Sequence, residues 1–368
     1  MSKQKHLGIC HVAPTMTTSI LECISTLSIS AQQLRRLPKL LEGDLLKMPT
    51  TVKDSDVPNL FREPYIQTGY RPTNQDWKYY FLSLFQRHNE SGNVWTHLLV
   101  ALAFLLRCKA FLETEDFQWN TMSMPLVIYV LASVTYLTCS ILAHLLQSKS
   151  ELAHYTFYFT DYVGVSTYQY GSAIAHYYYS SNQAWYDCSW YFFLPGAALL
   201  GWMSCLGCCF AKYRFQRPYP LMRKIYQVFP AGLAYGLDVS PILHRIFSCY
   251  MEGCWDNAVV FHCLQVIFFV ISAYFFSCPV PEKFFPGGCD IWGHAHQIFH
   301  VFLGLCTLSQ FEAVLLDYKN RQDLFTARYS PELTLLTCLS FFALIACSAV
   351  TAMFLRRRVK QKLSKKAL

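Results

Sequence analysis

The sequence predicts an all-α integral membrane protein with eight spanning helices. Hydrophobic residues make up 53% of the 368 residues and charged residues only 15%, whereas about a quarter of a soluble chain is charged. Apolar stretches of about 20 residues, the length that crosses the hydrocarbon of a bilayer, recur through most of the chain. A soluble protein of two or three domains is therefore not expected.

Eight segments are long and apolar enough to be predicted as spans: Val94–Leu112, Pro125–Leu146, Phe157–Tyr177, Trp190–Phe210, Ile225–Ile246, Ala258–Cys278, Ile291–Leu315 and Leu333–Leu355. Arg107 and Lys109 interrupt the far end of the first span, and their side chains are expected to extend to the membrane surface. The eighth span carries no charge before Arg356.

The flanking regions are predicted to be cytosolic. Residues 1–75 form an amino-terminal region with an amphipathic surface helix within residues 20–37, residues 76–355 form the transmembrane domain, and residues 356–368 form a basic tail. A basic run directly after a span is typical of a stop signal that contacts anionic inner-leaflet lipid. Nucleic acid is not an expected partner, because no nucleic-acid-binding fold accompanies this charge.

Loop charge predicts that both termini lie in the cytosol. The loop between spans four and five carries Lys212, Arg214, Arg217, Arg223 and Lys224. Acidic residues mark the loops after spans one and three, and the loop after span seven, in which Asp317 is placed, has mixed charge. Positive loops stay on the cytosolic side. A cytosolic amino terminus is opposite to that of rhodopsin-like receptors and argues against that class.

Polar residues in four spans converge at the cytosolic depth and predict a zinc site. His296 and His300, four residues apart, stack about 6 Å apart along one helix face, which suits two imidazoles on one zinc ion. His144 supplies a third ligand. Ser140 lies one turn before it, and Asp161 either ligates zinc or holds a metal-bound water. Three protein ligands plus water are typical of a catalytic zinc, which brings the pKa of that water near neutrality.

A polar stripe at the start of span one adds Glu90, Asn93 and His97 to this depth. We expect these side chains to orient the ligand histidines and to pack the first span, with direct ligation as the alternative. Two histidines four apart are more often hydrogen-bonded or interfacial than metal-bound. The zinc prediction therefore depends on the convergence of the other polar groups.

A second polar layer lies farther along the spans, away from the histidines. Its members are Gln169, His176, Asp238, His262, Gln265 and Glu312, among many aromatic residues. An apolar cavity with a few polar anchors suits a sterol or an acyl lipid. Aromatic belts at the two membrane surfaces are the alternative explanation of the same composition.

The ordered polar motifs resemble those of the progestin and adipoQ receptor family. These motifs are Glu90-x-x-Asn93 with Trp95-Thr96-His97, Ser140-x-x-x-His144, Asp161-Tyr162-Val163-Gly164 and His296-Gln297-x-x-His300. Residues 58–70, residues 238–241 and the eighth span look like the membrane progestin receptor branch of that family. The resemblance implies a seven-helix core plus an eighth carboxy-terminal transmembrane helix, with zinc held by the three histidines.

The resemblance also implies a plasma-membrane receptor for progesterone and related progestins and neurosteroids. It further implies signalling through an inhibitory G protein, linked to oocyte maturation. The residue chemistry supports a second hypothesis, a zinc-dependent lipid amidase, and the set of Ser, Asp and His residues also resembles alkaline ceramidases, which implies a ceramide-like substrate. In a hybrid of the two hypotheses, steroid binding regulates this hydrolysis. In a third reading, zinc is a structural link between spans two, three and seven.

Overall fold

The computed structural model describes residues 48–115 and 117–367, and this part of the chain is helical without a β-strand. Its eight long helices are α1 Ser91–Thr114, α2 Met124–Leu146, α3 Glu151–Ala175, α4 Phe193–Arg214, α5 Leu221–Glu252, α6 Asn257–Ser277, α7 Ala295–Asn320 and α8 Pro331–Ala367. The predicted spans correspond to these helices one by one. The all-helical prediction is confirmed.

Six of the eight helices are both long and apolar enough to cross a membrane. The two that fall short, α3 and α5, carry buried polar side chains such as His176 and Asp238. Such groups tolerate membrane depth when they face the protein interior, and α3 packs against α2, α4, α5 and α8. The membrane class is therefore confirmed, while the number of spans and the orientation of the termini stay predictions.

The helices from α1 to α7 form a closed ring. Each packs against the next along the chain, and α7 packs back against α1, while α8 packs against α3 and α4. The α2–α3 contact is close because glycine faces it: a Cβ at Gly171 would lie 2.3 Å from the Cβ of Ala132. Small residues permit this approach between membrane helices. The ring surrounds the space in which the polar residues of α2, α3, α5 and α7 meet.

The compact unit begins at Thr50, earlier than the predicted domain boundary at residue 76. Val57, Phe61, Ile66 and Tyr70 form a small core of their own. The carboxylate of Asp290, in the loop between α6 and α7, accepts the backbone N–H groups of residues 67 and 68 at 2.9 and 2.8 Å. The predicted surface helix within residues 20–37 lies outside the described residues.

Buried Arg71 joins this segment to the end of α2. Its guanidinium donates to the carbonyls of His144 and Leu145 at 2.7 and 2.5 Å. The last carbonyls of a helix have no partner within the helix. Arg71 therefore caps α2 at the turn that carries a predicted zinc ligand.

The predicted basic tail continues as helix. α8 extends without a break to Ala367, and Leu355 and Val359 pack with Tyr155 in a buried cluster. The charged side chains from Arg356 onward are exposed on the other sides of the helix. An apolar stripe repeating every four residues holds this part of α8 on the protein.

Candidate metal centre and cavity

Three histidines form the centre of the site. His144 lies in the last turn of α2, and His296 and His300 lie in the first two turns of α7. One ligand atom from each lies within 4.8 Å of the other two. His144 and His300 are each only 2% exposed. The tertiary structure thus brings the three predicted zinc ligands together.

Hydrogen bonds of the Nδ1 atoms of His144 and His300 leave Nε2 as the metal-ligating nitrogen of each ring. Nδ1 of His144 donates to Glu90 at 2.7 Å, and Nδ1 of His300 donates to the backbone carbonyl of Asn93 at 3.1 Å. Partners of this kind fix the tautomer of a metal-ligating histidine and make its other nitrogen a better ligand. Glu90 and Asn93 therefore occupy the orienting positions that the sequence predicted.

The spacing of the nitrogens fits a tetrahedral metal ion. Nε2 of His144 and Nε2 of His296 lie 3.3 Å apart. With Zn–N bonds of about 2.0–2.1 Å, two ligands of a tetrahedral zinc are about 3.3 Å apart. With the proton of His144 on Nδ1, its Nε2 can accept the Nε2–H of His296 or bind a metal ion together with His296. The donor set therefore fits zinc.

Glu90 has an unusual environment for a carboxylate. It is 4% exposed, and it also accepts the Asn93 side-chain amide at 2.6 Å. Burial by itself raises the pKa of Glu90, but the attraction of His144 and the hydrogen bonds from His144 and Asn93 outweigh it. The pKa is held well below its usual range. Glu90 is therefore a fixed negative charge beside the histidine cluster.

His97 and Ser140 border the cluster. The His97 ring stacks on that of His300 at 3.8 Å between centroids, and its Nδ1 lies 2.9 Å from Oγ of Ser140. Nε2 of His97 is buried without a hydrogen-bond partner in the described part of the chain. Asp161 lines the same cavity but is not part of the three-histidine group. Its predicted role in holding a metal-bound water stays a prediction.

A cavity of about 670 Å³ extends from the histidines to the second polar layer. Aromatic and aliphatic residues of α3, α5, α6 and α7 make up much of its wall, among them Val165, Tyr235, Phe269, Phe299 and Leu303. Pockets of this size and character hold small molecules. Both predicted polar groups thus border one continuous space.

Four of the six predicted residues of the second layer line this cavity: Gln169, His176, Asp238 and Gln265. His176 and Asp238 form a buried pair at 2.9 Å. The other two, His262 and Glu312, do not line it in the described structure. The structure thus divides the predicted set into a cavity wall and two residues paired elsewhere.

Those two residues bind charged partners that sequence reasoning missed. Glu312 accepts Nε and Nη2 of Arg107 at 2.5 and 2.9 Å, so Arg107 pairs within the protein instead of extending freely to the membrane surface. His262 and Arg245 both bind Asp317, at 2.9 and 2.6 Å. Asp317 was predicted in a loop, but α7 extends past it and leaves it 1% exposed. The sequence did contain one signal of this cluster: Arg245 lies inside a predicted span, where a charged side chain needs a buried partner of opposite charge.

Several aromatic residues predicted around a ligand have structural roles. Tyr178 and Tyr179 are buried in a short π-helix after α3. Their hydroxyls bond to Thr337 at 2.9 Å and to the carbonyl of Met122 at 2.5 Å. These tyrosines fill the core at the end of the bundle and do not line the cavity.

One basic residue predicted in a loop is buried beside the cavity. The ammonium group of Lys212 lies 3.8 Å from the ring centroid of Tyr158, and Lys212 is 5% exposed. Arg223 and Lys224, from the start of α5, line the same space. Cation–π contact stabilises such a charge away from water. Cationic side chains therefore border this end of the cavity together with the carboxylates of Glu63, Glu90 and Asp161.

Comparison with known proteins agrees with the motifs. Residues 85–311 match the family described as Haemolysin-III related. Membrane progestin receptor beta of Homo sapiens is 66% identical over 352 residues, 95% of this chain and 99% of that protein. The Mus musculus protein of the same name is 65% identical over 352 residues, with the same coverage.

A more distant relative shows the same coverage. Membrane progestin receptor alpha-B of Danio rerio is 54% identical over 353 residues, again 95% of this chain and 99% of that protein. The chain therefore belongs to the haemolysin-III-related family, the progestin and adipoQ receptor family that its motifs resemble, and its near relatives in that family are named membrane progestin receptors.

Proposed function

We propose that this protein is a plasma-membrane steroid receptor that binds progesterone and related progestins or neurosteroids in the central cavity. The observation that carries the proposal is the continuous, largely apolar space of about 670 Å³ with polar groups at both ends. A progestin is a rigid apolar molecule with an oxygen at each end, so its chemistry matches this lining. The names of the relatives support the same ligand class.

Binding can be tested by narrowing the cavity at a position that tolerates a side chain. Gly232 on α5 borders the cavity, and a Cβ there would meet no atom within 4 Å. Gly232→Trp is expected to weaken progesterone binding to purified protein at least about tenfold. Gly236→Trp is the matched control, because Gly236 lies one turn later on α5, has equally open space and does not line the cavity. If the two variants bind progesterone with equal affinity, the steroid does not bind in this cavity.

Signalling through an inhibitory G protein, linked to oocyte maturation, is the downstream part of the proposal. The exposed basic residues of α8 are a surface for a transducer or for anionic lipid, whereas the basic stretch between α4 and α5 offers less, because Lys212 is buried and Arg217 pairs with Glu63. Progesterone-dependent nucleotide exchange on an inhibitory G protein, in vesicles that contain only the two proteins, tests this step. No exchange from protein that binds steroid would exclude direct coupling.

The alternative function is a zinc-dependent lipid amidase, and the observation that favours it is the three-histidine cluster beside Ser140 and Asp161. Zinc held by His144, His296 and His300 would supply Lewis-acid activation of water and carbonyl oxygen. Glu90 and Asn93 would orient the ligands, and His97 would hold the Ser140 hydroxyl. The experiment is ceramide hydrolysis by zinc-loaded protein with His300→Ala as the blank.

Because the cavity is continuous, a steroid and a ceramide-like substrate would occupy overlapping space. Progesterone is therefore expected to raise the KM for ceramide without changing kcat. A rise in kcat would instead support the hypothesis of a steroid-activated enzyme. If protein shown to bind steroid hydrolyses ceramide no faster than His300→Ala, only the receptor function is supported.

A further inference from the structure

Two cysteines meet where α5 ends, beyond the second polar layer. Cys249 lies in the last turn of α5 and is 7% exposed, whereas Cys254 follows the helix and is exposed. Cys249 follows Asp238 by eleven residues, a rise of about 16 Å along the helix. The structure shows both cysteines as thiols, and the thiol of Cys249 hydrogen-bonds with that of Cys254.

The backbone at the helix end brings these two residues together. Gly253 has a φ of 72°, in the left-handed region in which glycine commonly ends a helix. The backbone N–H of Cys254 therefore turns back and donates to the carbonyl of Cys249 at 3.1 Å. In a helix ending of this type, the side chains at the two hydrogen-bonded positions frequently contact each other. The contact between the thiols is thus built into the backbone of this turn.

This geometry suits a disulfide. Two cysteines can be bridged without backbone movement only when their Cα atoms lie within about 7 Å and their side chains converge. Here the main chains of Cys249 and Cys254 are hydrogen-bonded directly to each other, and their side chains converge on one contact. Both requirements are met in the folded chain.

The charge of the surrounding sequence places this helix end outside the cytosol. Residues 246–256 include Glu252 and Asp256 but no lysine or arginine, which is typical of an outer loop. The predicted topology, with a cytosolic amino terminus, also puts the end of the fifth span on the outer side. Disulfides form and persist in that compartment. The inference therefore rests on the predicted orientation as well as on the contact between the thiols.

We propose that Cys249 and Cys254 form a disulfide as the protein matures. One thiolate of the pair attacks the disulfide of an oxidant protein of the secretory pathway, and the second thiolate then displaces the mixed disulfide. The S–S bond of the oxidant breaks and the bond between Cys249 and Cys254 forms. Two electrons and two protons pass from the pair to the oxidant, which leaves as a dithiol.

The disulfide would fix the turn that positions Asp256. Two residues after Cys254, the Asp256 carboxylate accepts the backbone N–H of Val259 at 2.7 Å and so caps α6. The same carboxylate lies 3.0 Å from Arg245, which also binds buried Asp317. The covalent link thus holds the connection between α5 and α6 beside the buried ion pair.

Peptide mapping of the full-length protein tests the proposal. Protein from eukaryotic cells is treated with iodoacetamide at lysis, so that free thiols are blocked, and is digested without reductant. Cleavage after Tyr250 or Glu252 cuts the chain between the two cysteines, so only a disulfide keeps the two peptides joined. We expect the joined peptides, and dithiothreitol should separate them. Alkylation of both Cys249 and Cys254 before reduction would overturn the inference.

Cys188 is the matched control. It is exposed on the short helix Gln183–Ser189, and Asn182, just before that helix, lies 3.0 Å from His244 of α5. Cys188 therefore lies on the same side of the membrane and meets the same oxidants. Its alkylation before reduction, together with the joined peptides, is the expected result. A peptide that joins Cys188 to Cys249 or to Cys254 would assign a different pairing and contradict the proposal.

Thermal unfolding in detergent gives an independent readout. Dithiothreitol should lower the unfolding temperature of the wild type by a few degrees, because the broken cross-link no longer restricts the unfolded chain. Cys254→Ser, which removes the link at an exposed position and keeps buried Cys249, should not respond to dithiothreitol. An equal fall in both proteins, or no fall in either, would count against the disulfide.

Discussion

At the scale of single residues, the histidine cluster depends on a carboxylate outside it. Glu90 precedes α1, yet its side chain holds Nδ1 of His144 and the amide of Asn93. It therefore links the first helix to the second at the level of the metal ligands. Partners of metal-bound histidines matter nearly as much as the ligands themselves.

Glu90→Gln is expected to weaken zinc binding about 10–100-fold, the usual effect of losing a partner behind a ligand. The measurement is zinc retained by purified protein during titration with a competing chelator. Glu113→Gln is the control, because Glu113 lies near the far end of α1, the helix that Glu90 precedes, with an exposed side chain that pairs with Lys109. Identical zinc retention in the two variants would contradict the assigned role of Glu90.

A second residue-scale prediction concerns Asp317. Its carboxylate is 1% exposed and lies between Arg245 and His262. Removing one partner of a buried ion pair typically costs about 3–5 kcal/mol, and Arg245 would keep only the exposed carboxylate of Asp256 at 3.0 Å. Asp317→Asn should therefore lower the unfolding temperature strongly in a detergent thermal melt. Asp323→Asn, at an exposed position of the next short helix, should change it little.

At the scale of elements, the segment before α1 is attached to the bundle at several points, among them Arg71 at the end of α2 and Asp290 between α6 and α7. Asp290 accepts the backbone N–H of Gln67, the backbone N–H of Thr68 and the hydroxyl of Thr68, the last at 2.6 Å. Hydrogen bonds to a charged group contribute about 1.5–3 kcal/mol. This carboxylate is thus one attachment of the segment to the loop between α6 and α7, beside the hydrogen bond from Gly287 N–H to the Tyr65 carbonyl at 3.1 Å.

Asp290→Ala should open this attachment and leave the helices in place. Cleavage by a protease between residues 48 and 75 is expected to accelerate about tenfold or more, since cleavage follows the population of the open form. The control is Asp56→Ala, whose exposed carboxylate bonds only with residues of its own turn. Unchanged cleavage in Asp290→Ala would mean that other contacts hold the segment.

At the scale of the whole molecule, the orientation in the membrane is still a prediction. The sequon at Asn89 is a weak test, because Asn89 is 6% exposed and a buried asparagine would escape glycosylation on either side. A better test inserts an exposed glycosylation cassette after Gln118, between α1 and α2, or after Gln216, between α4 and α5. Only the first should be modified if both termini are cytosolic. The reverse pattern would invert the proposed topology.

Much of the fold could be predicted from sequence because its signal is local. A helix in a membrane satisfies its own backbone hydrogen bonds, so an apolar run of sufficient length is enough to identify it. The helix ends were less accurate. α7 continues to Asn320 and α8 continues to Ala367, where polar residues follow an apolar run on a helix that packs against protein.

The histidine cluster could be predicted for the same reason. The i, i+4 spacing of His296 and His300 fixes a shared helix face, and the cost of polar groups in a bilayer implies that His144 must find partners. These are statements about single helices and their depth. The sequence by itself thus determined the membrane class, the helices and the residues that meet around the proposed zinc.

Only the tertiary structure decided what each polar side chain meets. Glu312 and His262 share the depth of the cavity residues, but the rotation of each helix about its axis turns one toward Arg107 and the other toward Asp317. The same rotation joins the two polar layers in one cavity. Helix rotation is set by packing against neighbours distant in sequence, so no local pattern contains it.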